Sequence, residues 1–454
     1  MKAPSHPLKV AIIGAGAAGL YATTELLRRD ACARVDLFDR LPTPGGLVRS
    51  GVSPDHAARR EVSAVLERMA VASGRFRYFG NVAYGRELTL DDLRRHYHAT
   101  IFACGAVEDR RLGIPGEDLP GSHAATHFVG WYNAHPDQAE RRFDFDCERA
   151  AVIGNGNVAL DVARMMLLPI DLLRQTDIAD HALDALSTSR VREVVILGRR
   201  GPAQASFTAP ELLELTHLPG VAVEIDGVIP DDVPASLPAS QRLRLQILHE
   251  LRWRRSAPAP RRLILRFQRS AEALLGEDRV VAVRLVENRL VDDGRGGIKA
   301  EPGSTVETLE VGLVFRSIGY RASALPRLPF DDSRGVIPNQ AGRVQGEDGL
   351  VQGLYVTGWI KRGPNGVIGS NRFCARETVD ALMADAGSLK ARPPMDLHND
   401  LPGSLQRRGI GITDHRGWQQ IDRIERERGL ASGRPRRRIA ARRELLAIAA
   451  SGPA

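Results

Sequence analysis

The 454-residue sequence predicts an α/β fold with two parallel-sheet units in one chain. Residues 8–29 and residues 150–166 each read as a short apolar strand, a glycine-rich turn and a helix. Strands that are apolar along their whole length are typical of parallel sheets, because helices cover both faces of such sheets. The length of the chain suits two or three domains with a substantial core.

Composition narrows the class of protein. Of all residues, 43% are hydrophobic and 26% are charged, and no apolar run approaches the ~18–20 uncharged residues of a membrane-spanning helix. The four cysteines lie far apart without a Cys-x-x-Cys pair, which argues against a zinc ribbon, an iron–sulfur segment or a disulfide scaffold. We therefore expect a cytoplasmic protein with no membrane span and no metal ion. The net charge of +8 favours an acidic partner or a phosphate-bearing ligand.

The first unit carries the pattern of a dinucleotide-binding turn. Residues 8–13 read as a buried strand and residues 17–29 as a helix, and the turn between them holds three spaced glycines: Gly14, Gly16 and Gly19. This spacing permits a tight turn, close approach of the backbone to a pyrophosphate, and close packing of helix on strand. The next strand ends in Asp39, 20 residues beyond Gly19, where a carboxylate can bind a ribose diol. An accidental glycine turn is the alternative.

The second unit repeats this pattern but ends differently. Residues 150–153 read as a strand, and the turn that follows is Gly154-Asn155-Gly156-Asn157-Val158, with alanine at the third small position. The next strand, residues 191–197, ends in Gly198-Arg199-Arg200 instead of an acid. Two guanidinium groups bind a 2′-phosphate that a carboxylate would repel. At roughly 1.5–3 kcal/mol per contact, the pair favours NADP over NAD by about two to four powers of ten. An exposed basic strand end is the alternative.

The acidic first unit and the basic second unit together predict FAD in the first and NADP(H) in the second. Residues 100–106 and 354–359 both read as short buried strands that end at a glycine turn. We expect such strands where the chain returns to close a first domain around a flavin.

Five long segments resemble the NADPH:ferredoxin reductases of the adrenodoxin reductase type, and together they span most of the chain. They are LPTPGGLVRSGVSPDH (41–56), GNGNVALDVAR (154–164), GRRGPAQASFT (198–208), RSIGYR (316–321) and GWIKRGPNGVIG (358–369). The resemblance implies two Rossmann-like dinucleotide-binding domains, with an NADP domain (109–329) inserted in a discontinuous FAD domain (1–108 and 330–454). It also shows one departure, because Gly45 replaces the usual aromatic residue and implies looser packing beside the flavin.

The resemblance further implies which residues hold each cofactor. Besides the glycines of the first turn, those implied for FAD are Ala15, Asp39, Gly46, Leu47, Val82, Trp359, Gly366, Val367 and Ile368. Those implied for NADP(H) are Arg110, Gly154, Asn155, Gly156, Asn157, Val158, Arg199, Arg200 and Glu211. His56 and Glu211 are implied to approach the nicotinamide, where we expect them to orient the carboxamide as the catalytic pair. A turn role for His56 and a helix-charge role for Glu211 stay open.

The activity implied by the resemblance is electron transfer from NADPH through FAD to a ferredoxin or adrenodoxin-like iron–sulfur protein. The sequence lacks the cysteine pair of thioredoxin or glutathione reductases, so electrons would leave directly from the flavin. Delivery to quinones, ferric chelates or another flavoprotein remains an alternative, as does a slow NADPH-binding redox sensor.

A basic helix is one candidate for the surface that docks an acidic iron–sulfur partner. Its residues are Arg242, Arg244, Arg252, Trp253, Arg254 and Arg255. A solvated helix face is the alternative. The arginines of residues 434–443 are interspersed with acidic and apolar residues and lack stacking aromatics, so no nucleic-acid partner is expected.

Overall fold

The computed structural model of the protein describes residues 6–230, 233–253, 259–294 and 297–451, and these contain nineteen strands. In chain order they are β1 (Lys9–Ile13), β2 (Arg34–Phe38), β3 (Phe76–Gly80), β4 (Ala99–Phe102), β5 (Glu108–Asp109), β6 (Ser122–Ala124), β7 (Arg149–Ile153), β8 (Glu193–Gly198), β9 (Val221–Asp226), β10 (Arg261–Phe267), β11 (Arg269–Leu275), β12 (Ala282–Asp292), β13 (Ile298–Glu310), β14 (Leu313–Arg316), β15 (Tyr320–Arg321), β16 (Asn339–Gln340), β17 (Arg343–Gly346), β18 (Gly349–Val356) and β19 (Thr413–Asp414).

Helices alternate with these strands through most of the chain. They are α1 (Ala17–Arg29), α2 (Leu47–Ser50), α3 (Ala57–Ala72), α4 (Leu90–His96), α5 (Ala125–Tyr132), α6 (Asn157–Leu167), α7 (Ile170–Leu173), α8 (Asp180–Ser187), α9 (Ala209–Leu215), α10 (Ala239–Trp253), α11 (Trp359–Arg362), α12 (Ser370–Lys390), α13 (Leu401–Arg407), α14 (His415–Leu430) and α15 (Arg442–Ala450), with a 3-10 turn at Pro202–Gln204. None of the helices in the described ranges is long and apolar enough to cross a bilayer.

The first sheet combines strands from both ends of the chain. Its order is β16-β17-β18-β4-β1-β2-β3-β19. The five central strands, from β18 to β3, run parallel, whereas β16, β17 and β19 are added at the edges in antiparallel pairs. Because β1 lies in the middle, the predicted first turn sits at the carboxyl edge of this sheet, where parallel α/β sheets bind ligands.

The second sheet is parallel throughout and has the order β6-β14-β7-β8-β10-β9. The predicted second turn follows its central strand β7. The two parallel sheets confirm the α/β fold with two Rossmann-like units. A separate antiparallel sheet, β11-β12-β13, is inserted between β10 and β14. No pattern in the sequence predicted that sheet.

Both faces of the first sheet are buried, as its apolar strands predicted. Val10 and Ile12 of β1 point into one core cluster, which α1 and α12 cover. The alternate residues Ala11 and Ile13 point into a second cluster on the opposite face. Strand β1 is therefore fixed between two apolar layers, and the turn at its end has a rigid base.

The C-terminal segment ties the two units together. Arg438, with a side chain only 3% exposed, pairs with Asp177 at 2.7 Å, and Arg434 pairs with Asp180 at 2.7 Å. Both aspartates belong to the stretch between β7 and β8 of the second unit. These two arginines are therefore used within the protein, where they join the C-terminal segment to the second unit.

Candidate flavin and nicotinamide nucleotide site

The two glycine turns share one geometry. Gly14 has φ +110°, and a Cβ there would lie 2.5 Å from the carbonyl oxygen of Ala103; Gly154 has φ +116°, and a Cβ there would lie 2.1 Å from the carbonyl oxygen of Ser317. Each turn therefore requires glycine where it touches the next strand of its sheet. In contrast, a Cβ on Gly156 would meet nothing within 4 Å, so this turn is open on the side where a pyrophosphate would approach.

Asp39 lies at the end of β2 directly beside the first turn. Its Oδ2 accepts a hydrogen bond from the amide of Ala15 at 2.7 Å, and its Oδ1 accepts one from the amide of Leu41 at 2.8 Å. Burial raises the pKa of this carboxyl, and the two amide donors oppose the rise. Each carboxylate oxygen can accept a further bond, so the position fits a ribose diol. Val82 lies beside Asp39, since its backbone amide donates to the carbonyl of Asp39 at 2.8 Å, and its side chain is buried.

The segment 45–47 runs alongside the first turn. The amide of Gly45 donates to the carbonyl of Ala15 at 2.8 Å, and Leu47 begins α2 with 36% exposure. Gly45 has φ +105°, and a Cβ there would lie 3.0 Å from the Cβ of Arg49. An aromatic residue at this position would therefore require a different local backbone.

Residues 358–368 follow β18 and lie at the carboxyl edge of the first sheet, near the first glycine turn. A Cβ on Gly358 would lie 2.6 Å from the Cβ of Ala18 at the start of α1, so Trp359 is held beside the first turn. Gly366 has φ +83°, and a Cβ there would lie 2.6 Å from the Oγ of Ser370. The local fold itself thus requires glycine at 366, in addition to any need to leave room for stacked rings. Val367, the next residue, is 58% exposed.

The second turn is braced by the chain that follows the arginine pair. The carbonyl of Asn155 accepts hydrogen bonds from the amides of Ser206 and Phe207, and the side chain of Asn157 accepts one from the amide of Thr208 at 2.8 Å. Helix α6 begins at Asn157, within the turn itself. Its amino terminus therefore points its amides at the open side of the turn. Val158 is partly buried there, and the amide of Arg110 donates to the carbonyl of Gly319 at 3.1 Å.

Arg199 and Arg200 follow β8 on the surface. The guanidinium of Arg199 has no hydrogen-bond or ion-pair partner among the described residues, and Arg200 Nη1 lies 3.5 Å from the carbonyl oxygen of Ile298. Both positive groups therefore remain available to a phosphate.

The expected catalytic pair is brought together, but with a third residue between its members. His56 Nε2 lies 2.5 Å from Oε2 of Glu214, which the sequence analysis did not select. Glu211 instead pairs with Arg59, which also binds Glu214 at 2.8 Å. Ligand atoms of His56, Glu211 and Glu214 all lie within 4.8 Å of one another. Residues three apart share a face of α9, and this spacing was the available signal for Glu214.

A buried arginine lies beneath this cluster. Arg164 of α6, with a side chain 2% exposed, binds Asp55 at 2.6 Å, Asp161 at 2.6 Å and the Oγ of Ser53 at 2.8 Å. Burial raises the pKa of Asp161 to about 6 despite Arg164. For Asp55, burial also acts to raise the pKa, but the attraction of Arg164 outweighs it and the pKa is lowered. Arg164 thus joins the second unit to the segment that carries His56.

The cleft fits the two nucleotides that the sequence predicts. Arg164 Nη1 and Glu211 Oε2 are buried yet have no hydrogen-bond partner among the described residues, and buried polar atoms of this kind are normally satisfied. Together they offer one donor and one acceptor next to Glu214, whose Oε2 lies 3.9 Å from Arg164 Nη1. Tyr320 links this cluster to the flavin segment, since its ring lies 5.3 Å from that of Trp359, and burial together with Asp161 raises its pKa.

The arginines of α10, the candidate docking helix, are partly bonded within the protein and so are less available to a partner. Arg242 Nη1 donates to the carbonyls of Ala235 and Leu237, and Arg244 Nη2 donates to the carbonyl of Ala203 at 3.4 Å. Arg252 is exposed on the same helix. Arg254, Arg255 and the side chain of Trp253 lie outside the described residues.

Three comparisons with known proteins bear on this arrangement. Residues 8–196 match the family described as pyridine nucleotide-disulphide oxidoreductase. NADPH-ferredoxin reductase FprA of Mycobacterium tuberculosis is 44% identical, over 98% of this chain and 99% of that protein. Mitochondrial NADPH:adrenodoxin oxidoreductase of Salvelinus fontinalis is 39% identical, over 98% of this chain and 92% of that protein. The solved structure of Mycobacterium tuberculosis FprA in complex with NADPH matches with a TM-score of 0.93 and 44% identity, covering 98% of this chain and 99% of that one.

The fold and the cleft define a flavoprotein oxidoreductase that uses a pyridine nucleotide. Identity at this level over nearly the whole chain is specific for one group within that class. The chain belongs to the NADPH:ferredoxin reductases of the adrenodoxin reductase type, and its cofactors are FAD and NADP(H). The family and the cofactors predicted from the sequence are therefore confirmed.

Proposed function

We propose that this protein transfers electrons from NADPH, through FAD, to a ferredoxin-type iron–sulfur protein. In this proposal the FAD domain comprises residues 1–108 and 330–454, and the NADP domain comprises residues 109–329. The observation that carries the proposal is the contact between His56, which follows the first unit's flavin segment, and Glu214 of α9 in the second unit. This contact joins the segment after the first unit's flavin turn to α9 of the second unit, and so supports a cleft shared by both nucleotides.

The side chains of the cleft have separate tasks. We assign His56, held by Glu214, to orient the nicotinamide carboxamide, together with the unpartnered oxygen of Glu211. Arg59 neutralises the two glutamates, so that the cleft does not repel the phosphates of the incoming nucleotide. Arg164 holds Asp55 and, through it, the turn that carries His56. FAD, when bound, takes up the electron pair of NADPH as hydride and passes electrons on singly.

We also infer an acidic partner and a cytoplasmic location. The net charge of +8 supports the first, and four free thiols support a reducing compartment. Arg372 and Arg376 are exposed on the first turns of α12, next to the flavin segment, and flank Phe373, whose exposure is 71%. An apolar side chain between two exposed cations suits an acidic protein surface, and Arg376 Nε also lies 3.9 Å from Oε1 of Glu25.

Stopped-flow mixing tests the activity. The NADPH-reduced holoprotein should reduce a purified [2Fe–2S] ferredoxin faster than it reduces a quinone, and the rate should fall with added salt because opposite charges steer the encounter. The NADPH–ferricyanide reaction, which needs no protein docking, is the control. Fast quinone reduction with slow reduction of every ferredoxin tested would contradict the proposal.

A further inference from the structure

The backbone of Arg199 and Arg200 is hydrogen-bonded to residues of the inserted antiparallel sheet. Asn288 of β12, only 2% exposed, donates from Nδ2 to the carbonyl oxygen of Arg199 at 2.7 Å. The same amide nitrogen donates to the Oγ of Ser270 on β11 at 2.8 Å. Both amide protons of Asn288 are therefore used, one on the sheet and one on the arginine loop.

A second bond holds the neighbouring carbonyl. Gln268, between β10 and β11, has φ +56°, an uncommon conformation for a residue other than glycine. The backbone N–H of Gln268 donates to the backbone carbonyl of Arg200 at 3.2 Å, and the backbone carbonyl of Gln268 accepts from the backbone N–H of Asn288 at 2.8 Å. Gln268 and Asn288 thus hold two successive carbonyls of the loop, and each also bonds the other.

The sheet leaves little freedom for the loop between these bonds. A Cβ on Gly201 would lie 3.0 Å from Cδ1 of Leu290 in β12, so the loop lies against the strand immediately after the arginines. Strand β12 has a register shift between Val286 and Asn288, and this irregularity lies at the residue that bonds the loop. The two guanidinium groups project from a fixed backbone, although they are on the surface.

We propose that Asn288 is a positioning residue for recognition of the 2′-phosphate of NADPH. It contacts no part of the nucleotide itself; it fixes the carbonyl of Arg199, so that the arginine pair keeps the spacing needed to bind one phosphate from two sides. This inference rests on the proposed role of Arg199 and Arg200. The inserted sheet therefore contributes to the choice of NADPH over NADH.

The test compares two nucleotides that differ only in this phosphate. Calorimetry on the FAD-loaded holoprotein would measure the affinity for 2′,5′-ADP, and displacement of NADP⁺ would measure the affinity for 5′-AMP. In Asn288→Leu, which keeps the branched shape of the side chain without its amide, and in Asn288→Ala, the dissociation constant for 2′,5′-ADP should rise about tenfold, as expected for one lost positioning bond. That for 5′-AMP should change less than about twofold. Arg284→Ala is the matched control, because Arg284 is an exposed residue of the same strand β12, and this variant should bind both ligands as the wild type does.

Each outcome decides between the two claims. If the wild type itself binds 2′,5′-ADP no better than 5′-AMP, the arginine pair does not recognise the phosphate and the proposed role of those arginines is wrong. If the wild type discriminates and both Asn288 variants discriminate equally well, the role of Asn288 is wrong. Equal losses for both nucleotides, or loss of FAD in both variants, would make Asn288 merely structural and would also overturn the inference.

Discussion

Replacement of Arg199 and Arg200 by alanine tests how the protein chooses its reductant. Charge-assisted bonds contribute about 1.5–3 kcal/mol each. Because Arg199 is exposed and Arg200 only partly buried, we take the lower end for both, about 3 kcal/mol in total. This corresponds to about two powers of ten in binding. The double variant should therefore lose about 100-fold in kcat/KM for NADPH, mainly through KM.

The assay measures kcat/KM for NADPH and for NADH with ferricyanide as acceptor. NADH lacks the 2′-phosphate, so its value should change by less than about threefold. Arg190→Ala is a matched control, since Arg190 is an exposed arginine just before the other end of β8 and pairs with Asp146. Equal losses with both nucleotides would refute the assignment of the two arginines to the 2′-phosphate.

Three further changes probe other parts of the account. Glu214→Gln removes the charge that holds His56, and hydride transfer measured by stopped-flow should slow roughly tenfold. The control, Glu250→Gln at an exposed position of α10, should leave the rate of hydride transfer unchanged. An unaltered rate in Glu214→Gln would show that the contact between His56 and Glu214 has no role in this step. Asp161 has a pKa raised to about 6 in the folded state, so its carboxylate costs stability above pH 6 and that cost fades as the pH falls from 6 towards 4. Asp161→Asn should therefore gain up to about 3 kcal/mol in urea unfolding at pH 8 and progressively less towards pH 4; a gain that is independent of pH would contradict this. Gly14→Ala should lower the free energy of unfolding by more than about 2 kcal/mol and release FAD. Gly74, also at positive φ but in open space, is the control, and Gly74→Ala should lower it by about 1 kcal/mol and keep FAD. Similar losses in the two variants would show that contact with Ala103 is unimportant.

The parts of the fold that depend on neighbouring residues were predictable from the sequence. The helix predicted over residues 17–29 is α1 itself, because its apolar period and the glycines before it are local signals. Strands β7 and β8 also lie within two residues of their expected positions. The family resemblance added the order of the segments and both cofactors, which no local pattern supplies.

Contacts between distant segments were not predictable in this way. Glu214 reaches His56 across 158 residues, and only the folded cleft distinguishes it from Glu211, one turn away on α9. The C-terminal arginines are interspersed with acidic and apolar residues, and this pattern does not show that Arg438 is buried, because its partner Asp177 is far away in the chain. The inserted sheet was missed because its longest strand, β13, alternates between partly and fully exposed residues and contributes little to the core.

An anaerobic titration of the purified holoprotein with NADPH, followed by oxidised [2Fe–2S] ferredoxin, tests the central claim most directly. The account predicts flavin absorption bands that bleach with about one equivalent of NADPH, bleach much more slowly with NADH at the same concentration, and return as the ferredoxin becomes reduced. A colourless protein that stays colourless after reconstitution with FAD would contradict it, and so would flavin bands that NADPH does not bleach.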